Sequence, residues 1–222
     1  MYPVLYEADY VESRSRLTTF FRLLTMLPAA VLTWLYVLAA HVVVFIAWFV
    51  LLFTGRYPQG MYDFVAGALR NATRLNGYAG LLTDAYPPWN GSDDPSYPVR
   101  VRVAPPKEHY SRVKVLFRLI LAIPVMVIAY IYQLIMEVGT LVAWFVIVIT
   151  GKQPKGIQDL INMGLRYVTQ ALAYYWLLTE DWPPITVDQS AVGMVPPPPE
   201  GGALSGASPG TPTYEPPATP ER

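Results

Sequence analysis

Apolar residues dominate two long segments of the chain, Leu23–Phe53 and Val115–Ile149. Each is longer than the roughly 20 apolar residues that cross a bilayer as a helix. A shorter stretch follows each segment, with apolar residues three and four positions apart, as on one face of a helix. The pattern predicts two membrane-embedded helical segments, each followed by an amphipathic helix that lies in the membrane interface and packs on its own segment.

Short stretches of alternating apolar and polar residues come before both segments. Tyr2-Pro3-Val4 opens the first stretch, and Tyr97-Pro98-Val99 opens the second. Alternation of this kind predicts short β-strands.

The same unit occurs twice in the chain. Ser15–Trp89 aligns with Ser111–Ile185 without a gap, and over a third of the aligned positions are identical. We conclude that the sequence is a tandem duplication. The predicted domains are a first membrane repeat (1–89), a linker with a short strand (90–110), a second membrane repeat (111–186) and a Pro-rich tail (187–222). The tail has too little apolar surface to form a core, so we expect it to be disordered.

Length alone leaves open whether each apolar segment crosses the membrane once or turns back as a hairpin. A straight helix over Leu23–Phe53 would measure about 46 Å at about 1.5 Å per residue, against a hydrocarbon core of about 30 Å. Half of it would be slightly short for a crossing. Against a hairpin, Ala39-Ala40-His41-Val42 at its middle contains no turn residue. Pro28 and Pro124 are predicted to kink the two segments.

Charge placement favours the hairpin. Basic residues flank both ends of both segments, and the positive-inside rule then places all four ends in the cytoplasm. The flanking residues are Arg14, Arg16, Arg22, Arg56, Arg70 and Arg74 in the first repeat, and Arg100, Arg102, Lys107, Arg112, Lys114, Lys152, Lys155 and Arg166 around the second.

Composition supports a membrane protein and excludes several kinds of site. Hydrophobic residues make up 53% of the 222 residues and charged residues 14%, whereas soluble domains carry about a quarter charged residues. The net charge of zero argues against a nucleic-acid partner. The chain has no cysteine, and its two histidines, His41 and His109, are not at ligand spacing, so we expect neither a metal site nor a cofactor.

Several short motifs make the chain resemble domain of unknown function 4389, a family of uncharacterised bacterial membrane proteins. The Thr54-Gly55-Arg56-Tyr57-Pro58 signature is fairly specific, and the second copy departs from it at Lys152 and Gln153. The other motifs are Tyr97-Pro98-Val99, Phe117-Arg118-Leu119, Ile123-Pro124, Ala47-Trp48-Phe49, Leu81-Leu82-Thr83-Asp84 and Tyr86-Pro87-Pro88. The resemblance implies a membrane protein, and it brings no catalytic residues.

Two sets of polar residues are candidate sites. The first is a set of lipid-headgroup candidates on and before the amphipathic helices, where arginine side chains suit phosphate groups. Its members are Arg56, Asp63, Arg70, Lys152, Asp159 and Arg166. Its structural alternative is a helix-terminal Asp and an Arg that reaches out of the interface. The second set, His41, Gln133 and Glu137, lies near the middle of the apolar segments, where ionisable groups often serve ion or proton transfer.

These observations predict an all-α integral membrane protein of the cell membrane, with its loops mainly in the cytoplasm. The function we favour is a non-enzymatic scaffold or accessory subunit, with membrane lipids and other membrane proteins as partners. A small transporter or channel component using His41, Gln133 and Glu137 is the alternative. The third hypothesis is a lipid-headgroup-binding or lipid-modifying protein.

Overall fold

In the computed structural model, which describes residues 2–185, each repeat has a short strand, a short helix, a long apolar helix and a further helix. In chain order these are β1 (Val4–Ala8), α1 (Arg16–Phe20), α2 (Arg22–Thr54), α3 (Gln59–Ala79), β2 (Val99–Val103), α4 (Arg112–Leu116), α5 (Arg118–Thr150) and α6 (Lys155–Tyr175). The duplication, the strands and the long helices follow the sequence prediction. The Pro-rich tail predicted over residues 187–222 lies outside the described residues.

The long helices α2 and α5 are each uninterrupted over 33 residues, so the hairpin prediction is wrong. Pro28 and Pro124 both lie inside these helices, near their first turns, and the helices continue past them. Gly139, in the middle part of α5, allows close packing against α6. A Cβ atom at Gly139 would lie 3.1 Å from the side chain of Ile161 in α6. By length and composition, both helices are able to cross a membrane.

The elements form three layers. Strands β1 and β2 pair antiparallel, with Val4 opposite Val103 and Ala8 opposite Val99. This sheet packs on the middle layer, where β2 contacts α3 and β1 contacts α6. In turn α3 packs on α2, and α6 packs on α5, so the long helices form the layer farthest from the sheet.

The repeats are related by an approximate two-fold axis. In the middle layer, the equivalent residues Thr73 and Thr169 meet with their hydroxyl oxygens 3.1 Å apart. In the sheet, Tyr6 pairs with Val101, which occupies the equivalent position after the Tyr-Pro-Val openings. Each of these pairs brings equivalent residues together, as happens at a two-fold axis. The axis therefore runs through the middle layer and through the centre of the sheet.

Helices α3 and α6 lie in the interior rather than at the rim of the molecule. Most of their residues beyond the first turns are buried or half-buried, because each helix is covered by a long helix, by a strand and by the other helix. The prediction that they pack on their own apolar segments is confirmed. Their predicted place as interfacial helices is not supported, since an interfacial helix leaves one whole face open.

Small residues line the buried side of the long helices. On α2, Ala29, Ala40 and Ala47 face the interior. On α5, the buried small residues are Ala122, Ala129, Gly139 and Ala143. Small residues let helix backbones approach closely, so α3 and α6 lie tight against the long helices along these seams.

Gly164 of α6 provides a test of this close approach. A Cβ atom there would lie 2.8 Å from both the Cβ of Met136 and the carbonyl oxygen of Tyr132 in α5. We expect Gly164→Ala to destabilise the fold by about 1–3 kcal/mol, as overpacking does. Gly156→Ala in the same helix is the matched control, because a Cβ there would lie within 4 Å of no atom in the described part of the chain. Thermal unfolding in mild detergent measures both, and equal melting temperatures would contradict the tight seam.

Candidate functional site

The Thr-Gly turn at the end of each long helix is hydrogen-bonded to the start of the other repeat. Gly55 follows the last residue of α2 and caps it with φ of 70°, and Gly151 caps α5 with φ of 74°, a conformation that glycine adopts without strain. The carbonyl of Gly151 accepts a hydrogen bond of 2.9 Å from the backbone N–H of Arg14 in the first repeat. The carbonyl of Gly55 accepts one of 2.8 Å from the N–H of Tyr110, which leads into the second.

Two tryptophans, one in each long helix, also form hydrogen bonds between the repeats. The indole N–H of Trp48 in α2 donates to the carbonyl of Val115 in α4 at 2.8 Å. The indole N–H of Trp144 in α5 donates to the carbonyl of Thr19 in α1 at 3.2 Å. A short helix from each repeat is thus anchored on the long helix of the other.

A buried arginine begins the long helix of the first repeat. The Nη1 of Arg22 donates to the carbonyls of Thr83 and Tyr78, the first at 2.7 Å, and its Nη2 pairs with the carboxylate of Asp84. The guanidinium carbon lies 4.3 Å from the centre of the Tyr78 ring. Arg22 therefore connects the start of α2 to the loop that follows α3.

Arg118 does the same in the second repeat. Its Nη2 donates to the carbonyl of Thr179, and its guanidinium carbon lies 3.7 Å from the centre of the Tyr174 ring. The loops held by the two arginines contain Leu81 and Leu177, whose φ angles are 63° and 64°. Non-glycine residues seldom adopt this conformation, so it needs the surrounding contacts to hold it.

One duplicated cluster differs between the repeats as a unit. Tyr57, Tyr62 and Tyr110 form an aromatic cluster, in which the Tyr57 and Tyr62 rings are 5.3 Å apart and the Tyr57 and Tyr110 rings 6.0 Å apart. The equivalent positions in the other half are Gln153, Gln158 and Arg14. Both clusters are buried. The departure from the signature at Gln153 is therefore part of a joint replacement, because the two positions around it differ as well.

We call Arg14, Gln153 and Gln158 the polar cluster. Within it, the guanidinium group of Arg14 donates its hydrogen bonds to neutral oxygen atoms. Arg14 donates from Nε to Gln153 Oε1 at 3.0 Å, and from Nη2 to Gln158 Oε1 at 3.3 Å and to the carbonyl of Leu82 at 2.6 Å. Burial lowers the pKa of Arg14, and the nearby carboxylate of Asp84 opposes that shift.

The aromatic cluster makes the equivalent loop contact with a hydroxyl group. Tyr62 donates to the carbonyl of Leu178, the counterpart of Leu82, at 3.2 Å. Burial raises the pKa of Tyr110 to about 12, so the cluster is neutral at physiological pH. The two halves thus hold equivalent loops with a neutral cluster on one side and a cationic one on the other.

The exposed headgroup candidates lie at the beginning of α3 and α6 and in the turns before them. Arg56 is exposed, and Asp63 accepts a hydrogen bond from Gln59 at 2.8 Å. Lys152 lies 3.0 Å from Glu12. Asp159 lies 2.7 Å from Lys155 one turn before it. These groups are not gathered at one point, because the two turns lie in different halves of the molecule.

Arg70 and Arg166 are half-buried in the middle layer. Arg70 donates from Nε to the carbonyl of Val101 in β2 at 3.2 Å and from Nη1 to that of Gly91 at 3.3 Å. The Nε of Arg166 is buried without a hydrogen-bond partner among the described residues. Arg70 thus binds the sheet and the linker loop, and a headgroup role for the pair stays a prediction.

The polar residues near the middle of the long helices do not converge on one site. Gln133 donates to Glu137 at 3.0 Å within α5. His41 bonds the carbonyl of Val37 in its own helix at 2.8 Å, and its ring lies edge-on to Trp176 at 5.6 Å. A groove along the first half of α5 contains none of these three residues in its lining, and its walls are apolar, formed by Leu119, Ala122, Ile123, Met126, Val127, Tyr130 and Tyr175. It has no lining suited to an ion.

The outer surface of α2 and α5 is broad and apolar, and it indicates a binding surface more clearly than the polar residues do. Large aliphatic and aromatic side chains stay exposed along both helices, among them Leu24, Trp34 and Phe53 on α2 and Ile120, Ile131 and Phe145 on α5. Only 17% of the most apolar window of α2 and 22% of that of α5 is buried. A surface of this size on a soluble protein marks a membrane or protein contact.

Sequence reasoning missed the buried polar residues that hold the fold together. The sequence pattern places Arg14 and Arg22 in a basic flank and gives no signal for Gln158, whereas the structure buries all three as hydrogen-bonding partners. Arg22 and Arg118 occupy equivalent positions in the internal alignment of the two repeats. The replacements of Tyr57 and Tyr62 by Gln153 and Gln158 are also visible in the alignment, whereas Tyr110 and Arg14 stand one position before the aligned segments. Only the structure brings the three positions together.

The comparisons with known proteins agree with the internal repeat. No curated protein and no solved structure matches the chain significantly. One family model matches twice, at residues 16–90 and 112–186, which together are more than half of the chain. These residues contain the long helices, the Thr-Gly turns and the loops held by Arg22 and Arg118. The chain therefore belongs to the family described as Domain of unknown function (DUF4389), of which it carries two copies.

Proposed function

We propose that the protein is a non-enzymatic integral membrane protein that serves as a scaffold or accessory subunit of a membrane complex. The observation that carries the proposal is the exposed apolar surface of α2 and α5. In water this surface would have to be covered by another molecule, whereas lipid tails cover it directly.

The distribution of side-chain sizes on the long helices supports lipid as the solvent. Alanine and glycine line the buried seams, while leucine, isoleucine, phenylalanine and tryptophan point outward. Soluble helices place their large apolar residues inward. Helices in lipid gain little from burying such residues and pack through small ones instead.

Charge placement supports the cell membrane with the loops on the cytoplasmic side. Arg16 and Arg112 begin the short helices that precede the long helices, and Arg56 and Lys152 follow the long helices. The positive-inside rule assigns such residues to the cytoplasm. We propose membrane lipids and other membrane proteins as partners and no nucleic acid.

We favour the scaffold role over the transporter and lipid-enzyme alternatives. The polar candidate residues either form hydrogen bonds that stabilise the fold or lie apart from one another. Arg70 holds backbone carbonyls, and Gln133 and Glu137 bond each other on α5. A pathway or a reaction centre needs such groups to converge on a shared cavity.

Membrane integration is tested by expressing the full chain and washing the membranes with alkaline carbonate. We expect the protein to stay in the membrane pellet and to leave it only with detergent, because apolar contacts do not depend on charge. Mild-detergent extraction followed by affinity purification then tests the scaffold role. We expect one or more stoichiometric membrane-protein partners. Release of the chain by carbonate would overturn the membrane proposal, and partner-free protein with ion flux in liposomes would overturn the scaffold role.

A further inference from the structure

We infer that the protein inserts into a single leaflet, with α2 and α5 lying along the membrane plane, the two-fold axis along the membrane normal and the sheet in water. This inference rests on the proposed membrane function. It assigns the α2/α5 layer as the lipid-binding surface and the outer face of β1 and β2 as the water-facing surface.

The two-fold axis links the depth of the sheet to the orientation of the long helices in the membrane. The axis passes through the Thr73–Thr169 pair and through the Tyr6–Val101 pair, so it leaves the molecule through the middle of the sheet. If the long helices crossed the bilayer, the axis would lie in the membrane plane. The centre of the sheet would then sit at the depth of the bilayer midplane.

The sheet cannot occupy hydrocarbon at that depth. The outward-facing positions of its two strands include Glu7, Arg100 and Arg102. Arg100 pairs with Glu7 at 3.3 Å and with Asp9 at 2.6 Å. Among residues 2–185 the sheet has two strands, so each strand has one edge that no described strand pairs with. Ionised side chains at the midplane are costly, and open sheet edges do not occur in lipid.

The opposite layer has the reverse character. The buried residues of α2 fall on one narrow side of the helix, at Ala29, Thr33, Ala40 and Ala47, and α3 covers that side. Most of the remaining surface of α2 is apolar and exposed or half-exposed, and α5 repeats the pattern over α6. A helix lying in the plane of the membrane needs its other face covered from water, and here protein covers it.

Helix length fits the same arrangement. A helix of 33 residues is about 50 Å long at about 1.5 Å per residue. A crossing of the roughly 30 Å hydrocarbon core would need a tilt above 50°, beyond the roughly 0–40° observed for membrane helices. A helix in the membrane plane meets no such limit.

The ionisable residues near the helix midpoints also fit. His41 follows the buried Ala40, and Glu137 follows the buried Met136. Successive residues of a helix are about 100° apart, so both lie on the flank of their helices rather than on the side farthest from the protein. In a crossing helix they would face lipid near the midplane. In the single-leaflet arrangement they lie nearer the headgroups.

Depth measurements along α2 test the inference, and the natural chain has no cysteine to remove. Leu24, Leu38 and Phe49 are all exposed on the outer side of α2. Single cysteines at these positions carry nitroxide labels in vesicles of phosphatidylcholine with a quarter phosphatidylglycerol, and oxygen and nickel accessibility reports their depth. We expect the three depths to agree within a few Å. Label at the exposed Glu108 serves as a water-side reference.

Sidedness provides the second measurement. Cysteines replace four exposed residues at the helix ends: Glu12, Gln59, Glu108 and Lys155. We expect an impermeant thiol reagent added to intact cells to label none of the four, and to label all four after permeabilisation.

Each alternative has its own signature. A depth at Leu38 that exceeds those at Leu24 and Phe49 by more than about 10 Å would overturn the single-leaflet arrangement. Labelling of Gln59 and Glu108 without Glu12 and Lys155, or the reverse, would overturn it as well, because the two long helices run antiparallel. Failure of the chain to bind the vesicles at all would instead overturn the proposed membrane function.

Discussion

Replacing Arg22 by Met is expected to lower the free energy of unfolding by about 3 kcal/mol. The change leaves the buried carbonyls of Tyr78 and Thr83 without their donor and removes the partner of Asp84. An unsatisfied buried polar group costs about 1–3 kcal/mol, and loss of one member of a buried ion pair costs more. Because Asp84 is partly exposed, its share is the smaller one. A loss of about 3 kcal/mol corresponds to roughly 6–12 °C in melting temperature for a chain of this size.

Three further variants sharpen this prediction. Arg118→Met should destabilise the second repeat in the same direction, through the carbonyl of Thr179 and the ring of Tyr174. Arg22→Lys should recover little, since an ammonium group lacks the planar fork that reaches two carbonyls and a carboxylate together. Arg56→Met is the control, because that side chain is exposed. Thermal unfolding followed by tryptophan fluorescence in mild detergent ranks all four. A melting temperature of Arg22→Met equal to that of Arg56→Met would contradict the anchor role.

The polar cluster should tolerate complete conversion to its aromatic counterpart better than partial conversion. Gln153→Tyr or Arg14→Tyr alone should cost about 2–3 kcal/mol, because each leaves charged or amide groups buried without partners. The triple variant Arg14→Tyr/Gln153→Tyr/Gln158→Tyr recreates the composition of the Tyr57, Tyr62 and Tyr110 cluster. We expect it to unfold at a higher temperature than either single variant, although the bond from Gln158 to the carbonyl of Asp9 is lost.

Chemical denaturation of the singles, the doubles and the triple gives the coupling energy. We expect a favourable coupling of about 1–3 kcal/mol between the three positions, as found for residues that share one network. The reverse change, Tyr110→Arg alone, is the matched control and should destabilise by burying a guanidinium among tyrosines. Additive losses in the triple variant would show that the two clusters are not interchangeable units.

The long helices and strands could be predicted from the sequence because their signals are local. Composition identified Leu23–Phe53 and Val115–Ile149, and alternation identified the strands. The hairpin prediction failed because the positive-inside rule was combined with the assumption that the segments stand upright. In the single-leaflet arrangement, basic residues at both ends of an uninterrupted helix lie on one side without a turn.

The interior could not be predicted because its partners are far apart in the chain. Arg14 meets Gln153 only after the two repeats have come together, and its other partner, Leu82, is 68 positions away in the chain. A basic residue before an apolar segment looks like a surface anchor, and no local pattern distinguishes it from a buried donor. Likewise the amphipathic stripes of α3 and α6 do not reveal that a strand covers the opposite face.

The exchange of contacts at the Thr-Gly turns has a consequence for the origin of the chain. A single repeat would leave its turn carbonyl, its tryptophan and its short helix without the partners that the other repeat provides. Two identical copies related by a closed two-fold rotation would satisfy all of them at once. An ancestral chain of half this length would therefore have been an obligate homodimer. Fusion of its two subunits would release the paired positions from identity, so that the cluster of Tyr57, Tyr62 and Tyr110 and the cluster of Arg14, Gln153 and Gln158 could come to differ.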